Sequence, residues 1–424
     1  MAICTQEFMR LGSADARMLG LQSLVLVSIP HPFGSLKEEQ VRQTAASVVD
    51  GIVSGLTQPA SPDAAKTERE AASATKIEAP GSLDAINELF HSRNMTDGLP
   101  IVPPTEERVL KMLKGVSLEA KEVIGLVAPR WGMATVEKIA VNAVMAGCLP
   151  SHLPILIAAT KAMVNEKYSL YGVQTTTNPV TPMLVVNGPI AREIGMNSEG
   201  NCLGQGNRAN ACIGRAVRLI LTNIGGGVPG VLDKATLGQP GKYIFCFAEN
   251  EEKSPWPPLH VERGFKPTDS TVTVFHAGGT TNLHDYPQQQ TGLAVLRAFS
   301  HRLSLGGGAP LSGVGFLILG QEHAHVIAGD GYSKDDIKRF IFENARLRAS
   351  GFTSEVAEIL PVLMHYRAES GPRGGQVAPD QFVPIVYRPV DIFVVVAGGG
   401  GGHHSVFVPA TFGGPGHVIT QLIE

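Results

Sequence analysis

The sequence predicts an α/β protein with two unequal parts, a truncated N-terminal βαβα unit and a large α/β domain with a mostly buried sheet. Three observations lead to this prediction. Helical and strand-like patterns alternate along most of the 424 residues. The strand candidates "GVGFLILG" (313–320) and "DIFVVVAGG" (391–399) are nearly all apolar, as strands covered on both faces are. One stretch between the two parts is poor in large apolar residues.

The first 56 residues give the pattern of the smaller unit. Apolar runs of strand length, "AICTQEF" (2–8) and "SLVLVSI" (23–29), are each followed by a helical pattern, the second of them over 36–56. Two strands are too few for a doubly wound sheet that stands alone. We therefore expect residues 1–56 either to pack on the rest of the chain or to be completed by another segment.

Residues 57–81 are rich in Ala, Ser, Pro and charge, so they cannot bury enough apolar surface to offset the entropy of ordering. They predict a linker. The domain that follows, residues 82–424, begins at Ser82, a plausible helix cap. Its helix candidates are 82–94, 105–116, 135–148, 152–165, 208–224, 291–303 and 333–348, and its strand candidates are 182–188, 243–249, 270–277, 313–320 and 391–399.

Composition excludes several classes of function. With 35 basic and 38 acidic residues, the chain has no excess charge to attract nucleic acid or an anionic membrane. No apolar run approaches the roughly 20 residues that span a bilayer, and the N-terminus lacks a secretory signal pattern. The five cysteines show no CxxC spacing. We expect a cytoplasmic protein with free, mostly buried thiols, no nucleic-acid or membrane partner, and a homo-oligomeric state.

The stretch "GNCLGQGNRANACIGR" (200–215) is the densest in polar and glycine residues. Its G-x-G-x-x-A spacing is weak evidence for a dinucleotide, because no strand precedes it and no acidic residue follows at the required distance. A helix N-terminus that favours an anion explains it better, with Asn207, Arg208 and Asn210 as substrate-binding residues. Cys202 lies just before this helix dipole, which lowers a thiol pKa, so it is a candidate nucleophile; the alternative is a buried loop residue.

Polar side chains next to predicted strands are further candidates for binding substrate. Thr176 and Asn178 precede the strand at 182–188, Asn187 ends it, and Asn250 follows the strand at 243–249. Ordinary turn chemistry is the alternative. Inside an apolar helix, Lys138 and Asn142 lie at i, i+4, where they would form either a structural network or a substrate clamp.

Five glycines, Gly398–Gly402, are followed by His403, His404 and Ser405. Either histidine could act as a general base near neutral pH, and Ser405 could bind substrate. Because adjacent side chains of an extended segment point to opposite sides, at most one of the two histidines faces a given pocket. The alternative is a flexible surface loop.

Glu322, His323 and His325 suggest a metal site, but side chains two apart on a helix diverge and cannot share an ion. His276 and His284 lie on other elements and leave some room for convergence. We expect no metal site, and the sequence does not identify a cofactor. Without a G-x-S-x-G elbow, a Ser-His-Asp triad has no anchor either.

Two sets of motifs carry a family resemblance. "AICTQEF" with "GLQSLVLVSIPHPFG" resembles the later half of the UGSC-like (seleno)protein domain and the "IPHP" region of glycine and betaine reductase selenoprotein B. "DGLPIVPPT", "TVEKIAVNAVMAGC", "QTTTNP", "NRANACIGRA", "GQPGKYIFCFAENEE" and "VERGF" are similar to the large domain that accompanies UGSC modules in bacteria and fungi. The resemblance implies thiol-linked or selenol-linked oxidoreductase ancestry. The family's redox motif, a selenocysteine or cysteine followed by Gly-Ser-Cys, would lie before residue 1, and Cys4 does not replace it.

Three hypotheses about function follow. The first is an enzyme of thiol-dependent redox or carbon–heteroatom cleavage chemistry, with a small polar or anionic substrate between the loops 174–178, 200–210, 249–257 and 398–405. The second is a redox-neutral lyase or hydratase with His403 or His404 as its base. The third is a non-catalytic subunit that completes a split domain with a chain carrying the missing UGSC half.

Overall fold

The structure is a computed structural model that describes residues 1–57 (except 22, 34 and 35), 76–79, 81–285, 291–307, 313–352, 378, 380–410 and 417–424. Its helices are α1 (Met9–Met18), α2 (Glu38–Thr57), α3 (Leu83–Ser92), α4 (Glu106–Leu113), α5 (Val136–Ala146), α6 (Leu153–Val164), α7 (Leu170–Thr175), α8 (Pro189–Glu193), α9 (Arg208–Asn223), α10 (Leu259–Glu262), α11 (Gly292–Arg302), α12 (Gln321–Gly329) and α13 (Lys334–Asn344). Its strands are β1 (Ala2–Thr5), β2 (Leu26–Ile29), β3 (Val123–Val127), β4 (Gly132–Thr135), β5 (Thr181–Asn187), β6 (Cys246–Ala248), β7 (Thr271–Ala277), β8 (Thr281–His284), β9 (Gly315–Leu319), β10 (Arg346–Arg348), β11 (Phe382–Pro384), β12 (Ile392–Val396), β13 (His404–Pro409) and β14 (Ile419–Leu422). The predicted α/β class is confirmed.

The N-terminal unit has the predicted β-α-β-α order. β1 and β2 pair in parallel, with Ala2 opposite Leu26, as a crossover through α1 requires. α2 buries none of its side chains among the described residues. The hydroxyl of Tyr171 on α7 hydrogen-bonds the carboxylate of Asp15 on α1, which ties this unit to the rest of the chain. Most of the predicted linker, residues 58–75 and 80, lies outside the described residues, and the domain boundaries stay predictions.

Two four-stranded sheets form the centre of the large part. The first has the order β14-β7-β5-β6, with β5 parallel to β6 and antiparallel to β7. The second has the order β12-β9-β13-β8, with β12 parallel to β9 and β13 antiparallel to both of its neighbours. A small antiparallel hairpin of β3 and β4, which the sequence does not predict, lies in front of α5.

Three clusters of buried apolar residues explain why the central strands are apolar throughout. Alternate residues of β5 face opposite ways: Leu184 packs in a cluster with α5, α6 and α9, whereas Met183 packs between the two sheets. Phe275 and Phe316 meet edge to face between the sheets, with their ring centroids 5.2 Å apart. The other face of the second sheet packs against α11, α12 and α13. The layers therefore run helices, sheet, sheet, helices.

The carboxyl ends of the parallel strands of both sheets meet at one edge, which we call the carboxyl edge. The backbone N–H of Asn250, just after β6, donates to the carbonyl of Val396 at the end of β12 (2.7 Å). The N–H of Gly398 donates to the carbonyl of Ser198, in the loop that precedes α9 (2.9 Å). The loops after β5, β6, β9 and β12 are thus brought together, as they are where α/β proteins place their sites.

No helix in the described ranges combines the length and the apolar character that crossing a membrane requires.

Candidate functional site

A cavity of about 370 Å³ opens at the carboxyl edge, and we call it the edge cavity. Its walls come from the loop 200–204, from Ile318 on β9 and Gly320 directly after that strand, and from residues 397–402 and 404–406. The two glycine loops touch backbone to backbone, because a Cβ on Gly399 would come within 2.8 Å of the Cα of Gly200. Glycine at these positions leaves peptide groups exposed to a ligand.

Helix α12 fixes the glycine run at two points. The side-chain amide of Gln321 donates to the carbonyl of Gly398 (2.7 Å), and a carboxylate oxygen of Glu322 accepts from the N–H of Gly401 (2.7 Å). Gly398 and Gly401 have φ angles of 110° and 94°, which other residues rarely adopt. The run therefore forms a wall of the cavity that is held at Gly398 and Gly401.

Ser405, His323 and Asp285 form a continuous hydrogen-bond chain behind the cavity wall. An ionised carboxylate can only accept, so Nε2–H of His323 donates to Oδ1 of Asp285 (3.0 Å). Nδ1 is then the acceptor, and the Ser405 hydroxyl donates to it (2.8 Å). The backbone N–H of Gly320 also donates to Oγ of Ser405 (3.1 Å). All three side chains are buried, and Ser405 lines the edge cavity.

Burial lowers the pKa of His323 below its usual value, although the hydrogen bond and charge of Asp285 act in the opposite direction. The imidazole is therefore neutral at physiological pH and able to accept a proton from Ser405. A hydroxyl, an imidazole and a carboxylate are thus within hydrogen-bond reach of one another, an arrangement that can serve acyl-transfer chemistry. The sequence offered no G-x-S-x-G elbow to anchor such a triad; tertiary pairing brings the three side chains together instead.

His403 and His404 point to different sides of the chain, as predicted. His403 lies on the side of the triad, with Nδ1 3.7 Å from Oδ1 of Asp285, whereas His404 lines the edge cavity and contacts Asn282 (3.2 Å). One ligand atom each from Asp285, His323 and His403 lie within 4.8 Å of one another, a spacing that fits one metal ion. This set shares only His323 with Glu322, His323 and His325, the set rejected on helix geometry, and the expectation of no metal site stays a prediction.

The prediction that the side chains of His323 and His325 diverge on a helix, so that Glu322, His323 and His325 do not share a metal ion, is confirmed. These residues lie in the first turns of α12, where His323 is buried in the triad while His325 turns outward and contacts the carbonyl of Gln321 (2.7 Å). His276 lies on β7 in the first sheet, away from this cluster.

Cys202 lines the edge cavity together with Ser405. Burial raises the pKa of its thiol to about 11, although N–H groups of the cavity wall, including that of Gly398, act in the opposite direction. The expectation that the dipole of α9 lowers this pKa is wrong, because desolvation outweighs it. The sulfur is placed where a substrate would contact it but is protonated at neutral pH.

Asn207, Arg208 and Asn210 form the start of α9, but their side chains make structural contacts. Asn207 caps the helix by accepting from the N–H of Asn210 (3.0 Å). Arg208 donates to the carbonyl of Gly147 at the end of α5 (3.0 and 3.2 Å). Asn210 is buried and donates to the carbonyls of Asn197 and Cys202 (2.8 and 3.1 Å), so it shapes the loop in front of the helix. Their roles in binding stay predictions.

Asn187 and Asn250 lie at the carboxyl edge, beside a second cavity of about 250 Å³. The amide of Asn187 donates to both Glu249 (2.7 Å) and Glu251 (3.0 Å). Burial raises the pKa of Glu249. Asn250 directs its side-chain oxygen to the N–H of Lys253 (3.3 Å). Asn187 thus holds two acidic side chains beside this cavity, whereas Asn250 fixes the turn after β6.

Four predicted binding residues lie away from the carboxyl edge. Thr176 and Asn178 precede β5, at its opposite end, where they accept the N–H groups of Asn178 and Val180 (3.1 and 3.0 Å). Lys138 is exposed and donates to the carbonyl of Met133 (3.0 Å). Asn142 is buried and accepts from Asn223 (2.7 Å). The structure therefore contradicts a buried Lys138–Asn142 pair and a site shared by loop 174–178 with the other three loops.

Sequence reasoning missed Asp285 as a site residue. It directly follows β8, whose pairing with β13 brings it to His323 and His403. A polar residue at the end of a short strand is the signal that could have indicated it.

The fold and the site together define an α/β protein with a glycine-walled cavity and a buried hydrogen-bond chain of Ser405, His323 and Asp285. Residues 1–58 match the model of the UGSC family, which confirms the UGSC-like resemblance of the N-terminal unit. Neither the curated proteins nor the solved structures compared with this chain contain a significant match. Similarity to selenoprotein B and to the domain that accompanies UGSC modules stays a prediction.

Proposed function

We propose that this protein is an enzyme that cleaves a carbon–heteroatom bond of a small polar substrate, with Ser405 as nucleophile, His323 as base and Asp285 as the residue that orients the base. The observation that carries the proposal is the hydrogen-bond chain from Ser405 Oγ through His323 to Asp285 (2.8 and 3.0 Å). The reaction needs no oxidant or reductant, but it is a hydrolysis and so differs from the lyase or hydratase with His403 or His404 as base that the second hypothesis describes.

In the reaction, Oγ of Ser405 bonds to an electrophilic carbonyl carbon of the substrate while its proton passes to Nδ1 of His323. The carbon–heteroatom bond then breaks, and the imidazolium returns this proton to the leaving group. Water, deprotonated by the same nitrogen, releases the acid from the serine. Asp285 stabilises the imidazolium throughout. In the usual serine-hydrolase triad Nε2 faces the serine and Nδ1 faces the aspartate. Here Nδ1 of His323 faces Ser405 and Nε2 faces Asp285, which the neutral imidazole tautomer with its proton on Nε2 permits.

The edge cavity supports a small substrate. Its volume of about 370 Å³ lies near the lower end of the range for small-molecule sites, roughly 300–1,000 Å³. The N–H groups of Gly398 and Gly401 are already paired, so the donors for an oxyanion next to Ser405 would come from the other peptide N–H groups of the glycine wall.

Labelling by diisopropyl fluorophosphate, read by mass spectrometry of the modified peptide, tests this proposal. We expect modification of Ser405, its loss in Ser405→Ala, and a rate at least about 100-fold lower in His323→Gln, the usual size of a general-base contribution. Ser300→Ala, a buried serine of α11, and His325→Gln, an exposed histidine of α12, are matched controls. An unlabelled Ser405, or equal rates in His323→Gln and His325→Gln, would contradict it.

A metal-dependent reaction is a second candidate, favoured by the spacing of Asp285, His323 and His403. Two histidines and one carboxylate with an open position suit a catalytic Zn²⁺. Nδ1–H of His323 would then donate to Ser405 and leave Nε2 for the ion. About one equivalent of zinc in the purified protein, lost in His403→Ala but kept in His325→Ala, would favour this candidate over the serine mechanism.

The thiol-dependent reaction would use Cys202 in the same cavity. Because burial raises its pKa to about 11, this thiol is less well supported than Ser405. Iodoacetamide labelling compared with fluorophosphate labelling separates the two. The third hypothesis, a subunit that joins a chain with the missing UGSC half, predicts that such a chain co-purifies.

A further inference from the structure

A larger cavity, of about 740 Å³, lies outside the carboxyl edge, and we call it the arginine cavity. Its wall includes Arg218 and Thr222 on α9, the turn around Thr96, and the loop 227–243. Thr181, the first residue of β5, hydrogen-bonds Arg218, which places the cavity at the end of β5 opposite to Asn187. No step proposed for Ser405 uses this cavity.

Arg218 is nine-tenths buried, and each hydrogen bond that it donates goes to an uncharged oxygen. Nε donates to the carbonyl of Lys242 (2.8 Å), Nη1 to the side chain of Gln174 (3.2 Å) and Nη2 to the hydroxyl of Thr181 (3.0 Å). A guanidinium carries five N–H groups. Two of them are thus not used within the described residues and remain for a group in the cavity.

The other charges around the cavity form ion pairs with each other. Lys242 binds both carboxylate oxygens of Asp233 (2.6 and 2.8 Å). Arg215 donates two hydrogen bonds to the carboxylate of Asp97, from Nε to Oδ2 (2.7 Å) and from Nη2 to Oδ1 (2.9 Å). Asp233 and Asp97 also act on Arg218 through their charges, but neither forms an ion pair with it, so among the described residues Arg218 is the one charge of this cavity without a direct counter-ion. Burying such a charge is costly unless a partner supplies the opposite one.

The remaining wall is largely apolar. Its apolar residues lie in the loop 227–243 and include Val228, Pro229, Leu237, Pro240 and Tyr243. A ligand that fits this cavity combines one anionic group with an apolar body.

We propose that the arginine cavity binds a small organic monocarboxylate, with the carboxylate on the free N–H groups of Arg218 and the apolar part against the loop 227–243. The planar guanidinium matches a carboxylate, and one unpaired positive charge matches one negative charge. The volume is within the usual range for small-molecule sites. The cavity is thus a second ligand site, independent of the triad.

The test uses benzoate as the probe and benzamide as its uncharged control, each titrated into the full chain by calorimetry and saturation-transfer NMR. We expect benzoate to bind about tenfold more tightly than benzamide, and Arg218→Gln to lose this difference, as the loss of a charged contact implies. Arg263→Gln, which removes another largely buried arginine away from the cavity, should keep it.

A second variant avoids any effect on folding. Leu237 lines the cavity but is 95% exposed, so Leu237→Glu adds a like charge at the mouth and should weaken benzoate without changing benzamide. Equal affinities for benzoate and benzamide in the unmodified protein would overturn the proposal. So would the absence of benzoate binding at about 10 mM, or an unchanged benzoate affinity in both variants.

Discussion

His152, at the start of α6, makes the protein sensitive to acid in a way that can be calculated. Burial lowers the pKa of His152 from 6.5 to about 4, and the nearby charge of Arg208 adds to this effect. Its Nδ1 accepts the backbone N–H of Leu149 (3.3 Å), a contact that protonation would break. The folded state therefore favours the neutral ring.

The sign and the size of the change in folding stability with pH follow from the linkage between protonation and folding. Because the folded-state pKa is depressed, the contribution to stability is fully present above pH 6.5 and is lost as the pH falls toward 4. Between pH 8 and pH 5, the unfolded chain takes up a proton that the folded chain refuses, which costs at most about 2 kcal/mol.

Urea unfolding at pH 8 and pH 5 measures this cost when the unmodified chain is compared with His152→Gln, whose amide can still accept from Leu149. We expect the unmodified chain to lose about 2 kcal/mol more than the variant between the two pH values. Equal losses in both proteins would refute the reasoning, because every other titrating group is shared.

Three further predictions concern packing and charge. In Gly320→Ala the new Cβ would lie 2.4 Å from the carbonyl oxygen of His404, so we expect a loss of about 1–3 kcal/mol in urea unfolding and slower fluorophosphate labelling. Arg215→Met leaves the buried Asp97 without its partner and should cost about 3 kcal/mol, part of which adding Asp97→Asn restores. Phe316→Ala opens the core between the sheets and should cost about 3–5 kcal/mol, with Phe316→Leu costing less. For each variant, an unfolding free energy equal to that of the unmodified chain would contradict the prediction.

The strands buried on both faces were predictable from the sequence. The predicted ranges 270–277, 313–320 and 391–399 contain β7, β9 and β12, and the range 182–188 covers β5 except its first residue, because strands covered on both faces are largely apolar. β13 was not predictable, since its residues 404–409 follow a glycine run and their pairing with β8 and β9 is decided by tertiary structure.

The site was predictable in part, because loops that follow parallel strands of a sheet meet at one edge. Loops 200–204 and 398–405 meet because each lies at the carboxyl edge of the sheets. Loop 174–178 does not join them, since it precedes β5, and a chain enters a strand at the edge opposite to the one where it leaves. The partnership of Asp285 with His323 depends on the register of β8 and β13, which no local spacing encodes.

The pairing of β13 with strands far earlier in the chain also determines when during synthesis the protein acquires its chemistry. His323 and Asp285 leave the ribosome long before Ser405, and until that last strand inserts between β8 and β9 the second sheet has an open slot at its centre. A nascent or C-terminally shortened chain therefore holds a base without its nucleophile and two unsatisfied strand edges. The proposed triad and the protection against edge-to-edge aggregation are thus completed in the same folding event.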